Sequence, residues 1–110
     1  MAVLAIVDDL AFRSKMEAAS AHLGVELDVA AALPEVRKNW RLAIIDLNLA
    51  NGDPLEIIRS LKQQLPAIPL VGYGSHVQTE LMASAHAAGC DQVLPRSAFV
   101  QRLPELLQGY

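Results

Sequence analysis

Two short apolar runs, each closed by a carboxylate, constrain this chain more than any other feature. The first is Val3-Leu4-Ala5-Ile6-Val7 before Asp8-Asp9, and the second is Leu42-Ala43-Ile44-Ile45 before Asp46. An uninterrupted apolar run of that length suits a parallel strand covered on both faces, where an amphipathic edge strand would alternate. Parallel strands need helical crossovers, and the intervening sequence supplies helical spacing. Phe12, Met16, Ala19 and Leu23 recur on one face, and Gly24 offers a stop.

The rest continues the alternation. Val25–Val29 reads as a second strand, and Pro34–Asn39 as an abbreviated second helix with proline in its first turn. After Asn51-Gly52, Asp53 and Pro54 form a cap and first helical position, and Leu55, Ile58, Leu61 and Leu65 line a third helix. Leu70-Val71-Gly72-Tyr73 is a fourth strand, Val77–Ala88 a fourth helix stopped by Gly89, and Gln92-Val93-Leu94 a fifth strand. Ser97 caps a fifth helix bearing Phe99, Val100, Leu103 and Leu107, and Pro104 is expected to kink it. Five strands alternating with five helices predict a three-layer α/β/α sandwich around a flavodoxin-like five-stranded parallel sheet in order 2-1-3-4-5.

At 110 residues the chain is expected to be a single domain over 1–110. With 53% hydrophobic and 19% charged residues it has the material for a core. A formal charge of −3 argues against phosphate backbones and anionic membranes, so neither direct nucleic-acid nor membrane binding is expected. The apolar opening lacks a basic leader and stops at Asp8, unlike a signal peptide or a membrane span. The single cysteine, Cys90, permits no intrachain disulfide and no cysteine-based zinc site, which fits a reducing cytoplasm. It is expected to be buried.

In the predicted order, strands 1 and 3 flank the topological switch point, beyond whose C-terminal ends ligands bind. Asp8, Asp9 and Asp46 fall there. Three converging carboxylates raise one another's proton affinity unless they share a cation, and Mg²⁺, with hard oxygen ligands, is the natural one. Beside such an ion Asp46 could attack a phosphoryl group and become an aspartyl phosphate. The bland alternative for Asp8 and Asp9 is helix capping.

The chain resembles a receiver domain of two-component response regulators, of an atypical kind. The matching segments are Val7-Asp8-Asp9, Ile45-Asp46-Leu47-Asn48-Leu49, Ile68-Pro69-Leu70-Val71 and Ala88-Gly89-Cys90-Asp91, in order over nearly the full length. The resemblance implies that Asp46 is the phosphoacceptor, Asp9 a direct magnesium ligand, Asp8 a second acidic partner, and the Asn48 backbone carbonyl a further ligand. It implies phosphorelay signalling without enzymatic turnover. The implied partners are a histidine kinase or phosphotransfer protein and an output protein engaged through the fourth helix, fifth strand and fifth helix; a homodimer could use that face too.

Several positions depart from the family pattern. The Thr or Ser that normally ends strand 4 is Gly74, followed by Ser75. The usual Lys-Pro becomes Arg96-Ser97 or, on the alternative alignment, Leu94-Pro95, and the aromatic partner becomes Val93. Gly74, Ser75 and Arg96 are therefore the candidate phosphate contacts. These departures motivate a second hypothesis, a non-phosphorylated pseudo-receiver acting as an interaction module. A metal-dependent phosphohydrolase is a weaker third, since no general base stands out. His76 is expected at the surface or a helix start, and His22 and His86 within helices, without special roles. Trp40 is expected at the far end of the sheet.

Overall fold

The computed structural model describes residues 2–36 and 40–109. Strands β1 (Ala2–Ile6), β2 (Leu27–Ala30), β3 (Trp40–Asp46), β4 (Leu70–Gly74) and β5 (Gln92–Pro95) alternate with helices α1 (Leu10–Leu23), α2 (Pro54–Gln64), α3 (Thr79–Ala88) and α4 (Arg96–Gly109). All pairings are parallel, and the order is β2-β1-β3-β4-β5, as the sequence predicts.

The apolar runs of β1 and β3 are buried on both faces. Alternation divides them between two cores. Leu4, Ile6, Ala43, Ile45 and Leu47 face Ile57, Ile58 and Leu61 of α2 and Ala85 of α3. Val3, Ala5, Val7, Leu42 and Ile44 face Phe12 and Met16 of α1 and Phe99, Leu103 and Leu107 of α4. The result is the expected three-layer sandwich.

Local chemistry sets the helix ends. The Asp9 carboxylate accepts the Ala11 and Phe12 amides at 2.9 and 3.2 Å, capping α1. Gly24 closes the same helix at φ 69°, a conformation that favours a residue without Cβ. Asp53 caps α2 through the Leu55 amide at 3.0 Å, with Pro54 in the first turn as predicted.

Some boundaries differ from expectation. No helix forms at Pro34–Val36, and residues 37–39 of the expected second helix lie outside the described residues. That segment has proline in a favourable place but no apolar stripe to dock, so propensity had nothing to reinforce it. Strand β2 begins two residues later than expected, because the Val25 amide closes α1 by bonding the Ser20 carbonyl at 2.8 Å. Helix α3 starts at Thr79, since Ser75–Gln78 form a turn closed by a 3.0 Å bond from the Gln78 amide to the Ser75 carbonyl. Helix α4 starts at Arg96, placing Ser97 inside it, and contains Pro104.

Trp40 is the first residue of β3, at the end remote from Asp46, and its indole N–H donates to Asp28 at 2.8 Å. No helix among the described residues is long and apolar enough to cross a membrane.

Candidate functional site

Asp46 ends β3 and is 2% exposed, one of two buried polar residues among those described. Its Oδ1 accepts the Asn48 amide at 2.8 Å, which orients the carboxyl and leaves Oδ2 for other chemistry. Desolvation raises its pKa above the usual 3.8. The Asn48 amide and the Arg96 charge work against that rise, while Asp8 and Asp9 add to it. Both neighbouring acids therefore act on Asp46, as the switch-point argument requires.

Asp8 and Asp9 each have a second task. Asp8 Oδ2 accepts the Ala50 amide at 2.7 Å, tying the segment after β1 to the segment after β3. Asp9 Oδ1 caps α1, so the bland reading of this residue is also correct. Among the described residues, no group of three or more His, Cys, Asp or Glu side chains stands in an arrangement that could hold a metal ion. The donor chemistry still suits a hard divalent cation: the carboxylates are acidic oxygen donors, one oxygen of each is not occupied by these amide bonds, and Asp46 is disfavoured as an uncompensated charge.

The phosphate-contact candidates sit on the other side of Asp46. Gly74 is the last residue of β4, level with Pro95, and brings no hydroxyl. The Ser75 hydroxyl accepts the Val77 amide at 3.5 Å, a local turn contact, and the Ser75 amide donates to Gln78 Oε1 at 3.1 Å. Arg96 is exposed and lies beside the segment after β3: its Nη2 is 3.4 Å from Asn48 Oδ1, and its guanidinium carbon is 5.2 Å from the Phe12 ring centre. Leu94 instead packs with the α1/α4 core. Of the two alignments, the one with Arg96 supplies a cation to the site.

Phe12, Lys15, Ser75, His76, Arg96 and Ser97 line an open cleft of about 380 Å³. The Lys15 ammonium also lies 5.6 Å from the Phe12 ring centre, so two cations approach one aromatic ring there. His76 is exposed, as expected. Cys90 is buried, and desolvation with the adjacent Asp91 pushes its thiol up to about 12, which makes it inert at neutral pH.

Sequence reasoning placed Tyr73 in strand 4 but gave it no role at the site. In the parallel register Asp46 pairs with Tyr73, on the face shared with Phe12 and Phe99. The three rings stack, Tyr73 lying 4.3 Å from Phe99 and 5.0 Å from Phe12. Its hydroxyl is buried and stops short of a hydrogen bond to any group among the described residues. Desolvation raises its pKa, and Asp46 is the foremost charge reinforcing the rise. The missed signal was register: counting three residues on from the Ala43–Leu70 pair places Asp46 and Tyr73 side by side.

No family model matches the chain, and no curated protein matches it in sequence. Solved structures do. It is similar to NtrX from Brucella abortus, with TM-score 0.81 at 24% identity, over 99% of this chain but only 27% of that longer one. The receiver domain of NtrX alone aligns with TM-score 0.79 at 22% identity, over 97% of this chain and 95% of the domain. The chemotaxis response regulator CheY4 of Vibrio cholerae aligns with TM-score 0.83 at 21% identity, over 99% and 98% of the two chains. Five parallel strands in the order 2-1-3-4-5, with acidic tips at the switch point, give this chain the fold of a response regulator receiver domain.

Proposed function

We propose that residues 1–110 form a single receiver-like signalling domain of the cytoplasm, which accepts a phosphoryl group on Asp46. The donor is a phosphohistidine of a histidine kinase or phosphotransfer protein. The observation that carries this reading is a buried Asp46 at the switch point, its carboxyl oriented by the Asn48 amide and acted on by Asp8, Asp9 and Arg96.

In the transfer, Asp46 Oδ2 attacks phosphorus and an O–P bond forms. The N–P bond of the donor breaks, its electron pair stays on the imidazole nitrogen, and that nitrogen takes a proton from solvent. Asp8, Asp9, Asp46 and the Asn48 carbonyl, drawn closer together than in this structure, would hold a Mg²⁺ ion, which when bound neutralises charge on the phosphoryl oxygens. Arg96 adds a permanent cation near the same oxygens, and its planar fork differs from the point charge of a lysine. Asp8 keeps the segment after β3 in place through the Ala50 amide. The outcome is a modified surface read by other proteins, with α3, β5 and α4 as the output face and a second copy as one candidate partner.

The test is incubation with a small acyl phosphate and Mg²⁺, followed by intact mass measurement. A labile phosphoryl adduct that is absent from Asp46→Asn supports the reading, and no adduct with either an acyl phosphate or a matched kinase rejects it. Gly74 favours one alternative, a pseudo-receiver that binds partners unmodified, because this residue leaves the end of β4 without a hydroxyl. Partner capture unaffected by Asp46→Asn would support that alternative.

A further inference from the structure

Tyr73 has no accessible surface, yet its hydroxyl has no hydrogen-bond partner among the described residues. Buried hydroxyls are nearly always partnered, and an exception calls for an explanation such as a missing ligand group. Packing against both Phe12 and Phe99, whose ring centres lie 5.0 and 4.3 Å away, fixes where the ring sets the hydroxyl oxygen. The neighbour across the sheet is Asp46, and Asp46 is also the foremost charge felt by the hydroxyl.

Tyr73 is the buried hydroxyl at this edge. Gly74 has none, and Ser75 is only partly buried, its hydroxyl oxygen accepting the Val77 amide at 3.5 Å in a local turn. The Asp46 carboxyl itself is oriented by the Asn48 amide, and the Tyr73 hydroxyl lies near enough to feel it without closing a hydrogen bond of ordinary geometry. A phosphoryl group on Asp46 would extend the acceptor by three oxygens. We infer that Tyr73 is the hydroxyl donor of this site: its O–H donates to an oxygen of the phosphoryl group carried by Asp46. This rests on Asp46 being the acceptor. It assigns the donor to the penultimate residue of β4, reached through the aromatic stack of the α1/α4 face.

Tyr73→Phe removes one oxygen and keeps the stacked ring. The test compares adduct formation from an acyl phosphate with Mg²⁺ in both proteins, their melting temperatures without phosphate, and the ¹³Cζ resonance of labelled Tyr73 with and without the adduct. The expected result is about tenfold slower formation in Tyr73→Phe. Its melting temperature should be equal or higher, since an unpartnered hydroxyl has been removed. In the unsubstituted protein the Tyr73 resonance should shift when the adduct forms. Equal formation rates, an unmoved resonance, or a lower melting temperature in Tyr73→Phe would each overturn the donor role while leaving Asp46 as acceptor. Absence of an adduct in both proteins would overturn the donor role and the Asp46 reading together.

Discussion

Asp8 accepts the main-chain amide of Ala50 at 2.7 Å, so the segment following β1 and the segment following β3 are joined by an acid at the mouth of the site. A charge-assisted bond of this kind restrains the residues flanking Asp46, including the Asn48 amide that orients its carboxyl.

Asp8→Ala is therefore expected to loosen the segment 47–53 more than the fold. Hydrogen exchange should show the Ala50 amide exchanging about tenfold faster, while global stability falls by about 1 kcal/mol. Unchanged exchange at Ala50 would show that the bond contributes nothing to order there.

Asp46 predicts a pH dependence of definite sign. Its pKa is raised above 3.8 in the folded protein, so the native state holds a proton more readily than the unfolded chain between that value and the native one. Stability then falls as pH rises through this window. Asp46→Asn lacks the buried charge and keeps an oxygen for the Asn48 amide. Thermal unfolding from pH 4 to pH 7 should find Asp46→Asn the more stable protein at pH 7, with the advantage shrinking toward pH 4.

Much of this architecture is legible in the sequence because each core strand has its own unambiguous signal. Val3–Val7 and Leu42–Ile45 are too uniformly apolar for an edge, and the acids that follow mark where the strands emerge. Asp53-Pro54 announces its helix through capping chemistry that operates within four residues. What failed lacked such local determination. Pro34 suggested a helix that no apolar stripe supports, and Val25 was drawn into the close of α1. Tyr73 was given no role because a strand buried on both faces does not reveal which face a given residue takes, and its pairing with Asp46 exists only once β3 and β4 are in register. The choice between Leu94 and Arg96 likewise depended on where α4 begins.

A clasp distant from the site offers a separate test. Asp91 Oδ2 accepts both the Leu70 amide at 2.8 Å and Lys62 Nζ at 2.9 Å, and Lys62 also donates to the Ile68 carbonyl at 2.7 Å. Desolvation raises the Asp91 pKa, but the Lys62 and Leu70 bonds outweigh it and the net shift is downward from 3.8. The stabilisation is present above that value and is lost as pH falls through the lower native one. Since the pair is partly exposed, Asp91→Ala should cost about 1 kcal/mol in denaturant unfolding at pH 7, with the difference closing in strong acid. An equal difference at both pH values would contradict the assignment.

Two glycines should respond oppositely to alanine. Gly89 has φ 139°, and a Cβ there would meet Lys62 Cγ at 2.6 Å, so Gly89→Ala should cost about 2 kcal/mol. Gly74 lies outside the positive-φ set, and a Cβ would meet Leu47 at an ordinary 3.5 Å. Gly74→Ala should be neutral or stabilising by about 0.5 kcal/mol, through the unfolded chain. Denaturant midpoints of the two variants decide this, and a destabilised Gly74→Ala would show that the end of β4 needs glycine for its backbone.

The most direct test of Asp46 as acceptor is to treat the protein with an acyl phosphate and Mg²⁺, reduce with borohydride, and map the product by peptide mass spectrometry. Borohydride converts an aspartyl phosphate to homoserine. Homoserine at position 46, dependent on the acyl phosphate, is the predicted result; an unaltered Asp46, or homoserine at another position, would contradict the account.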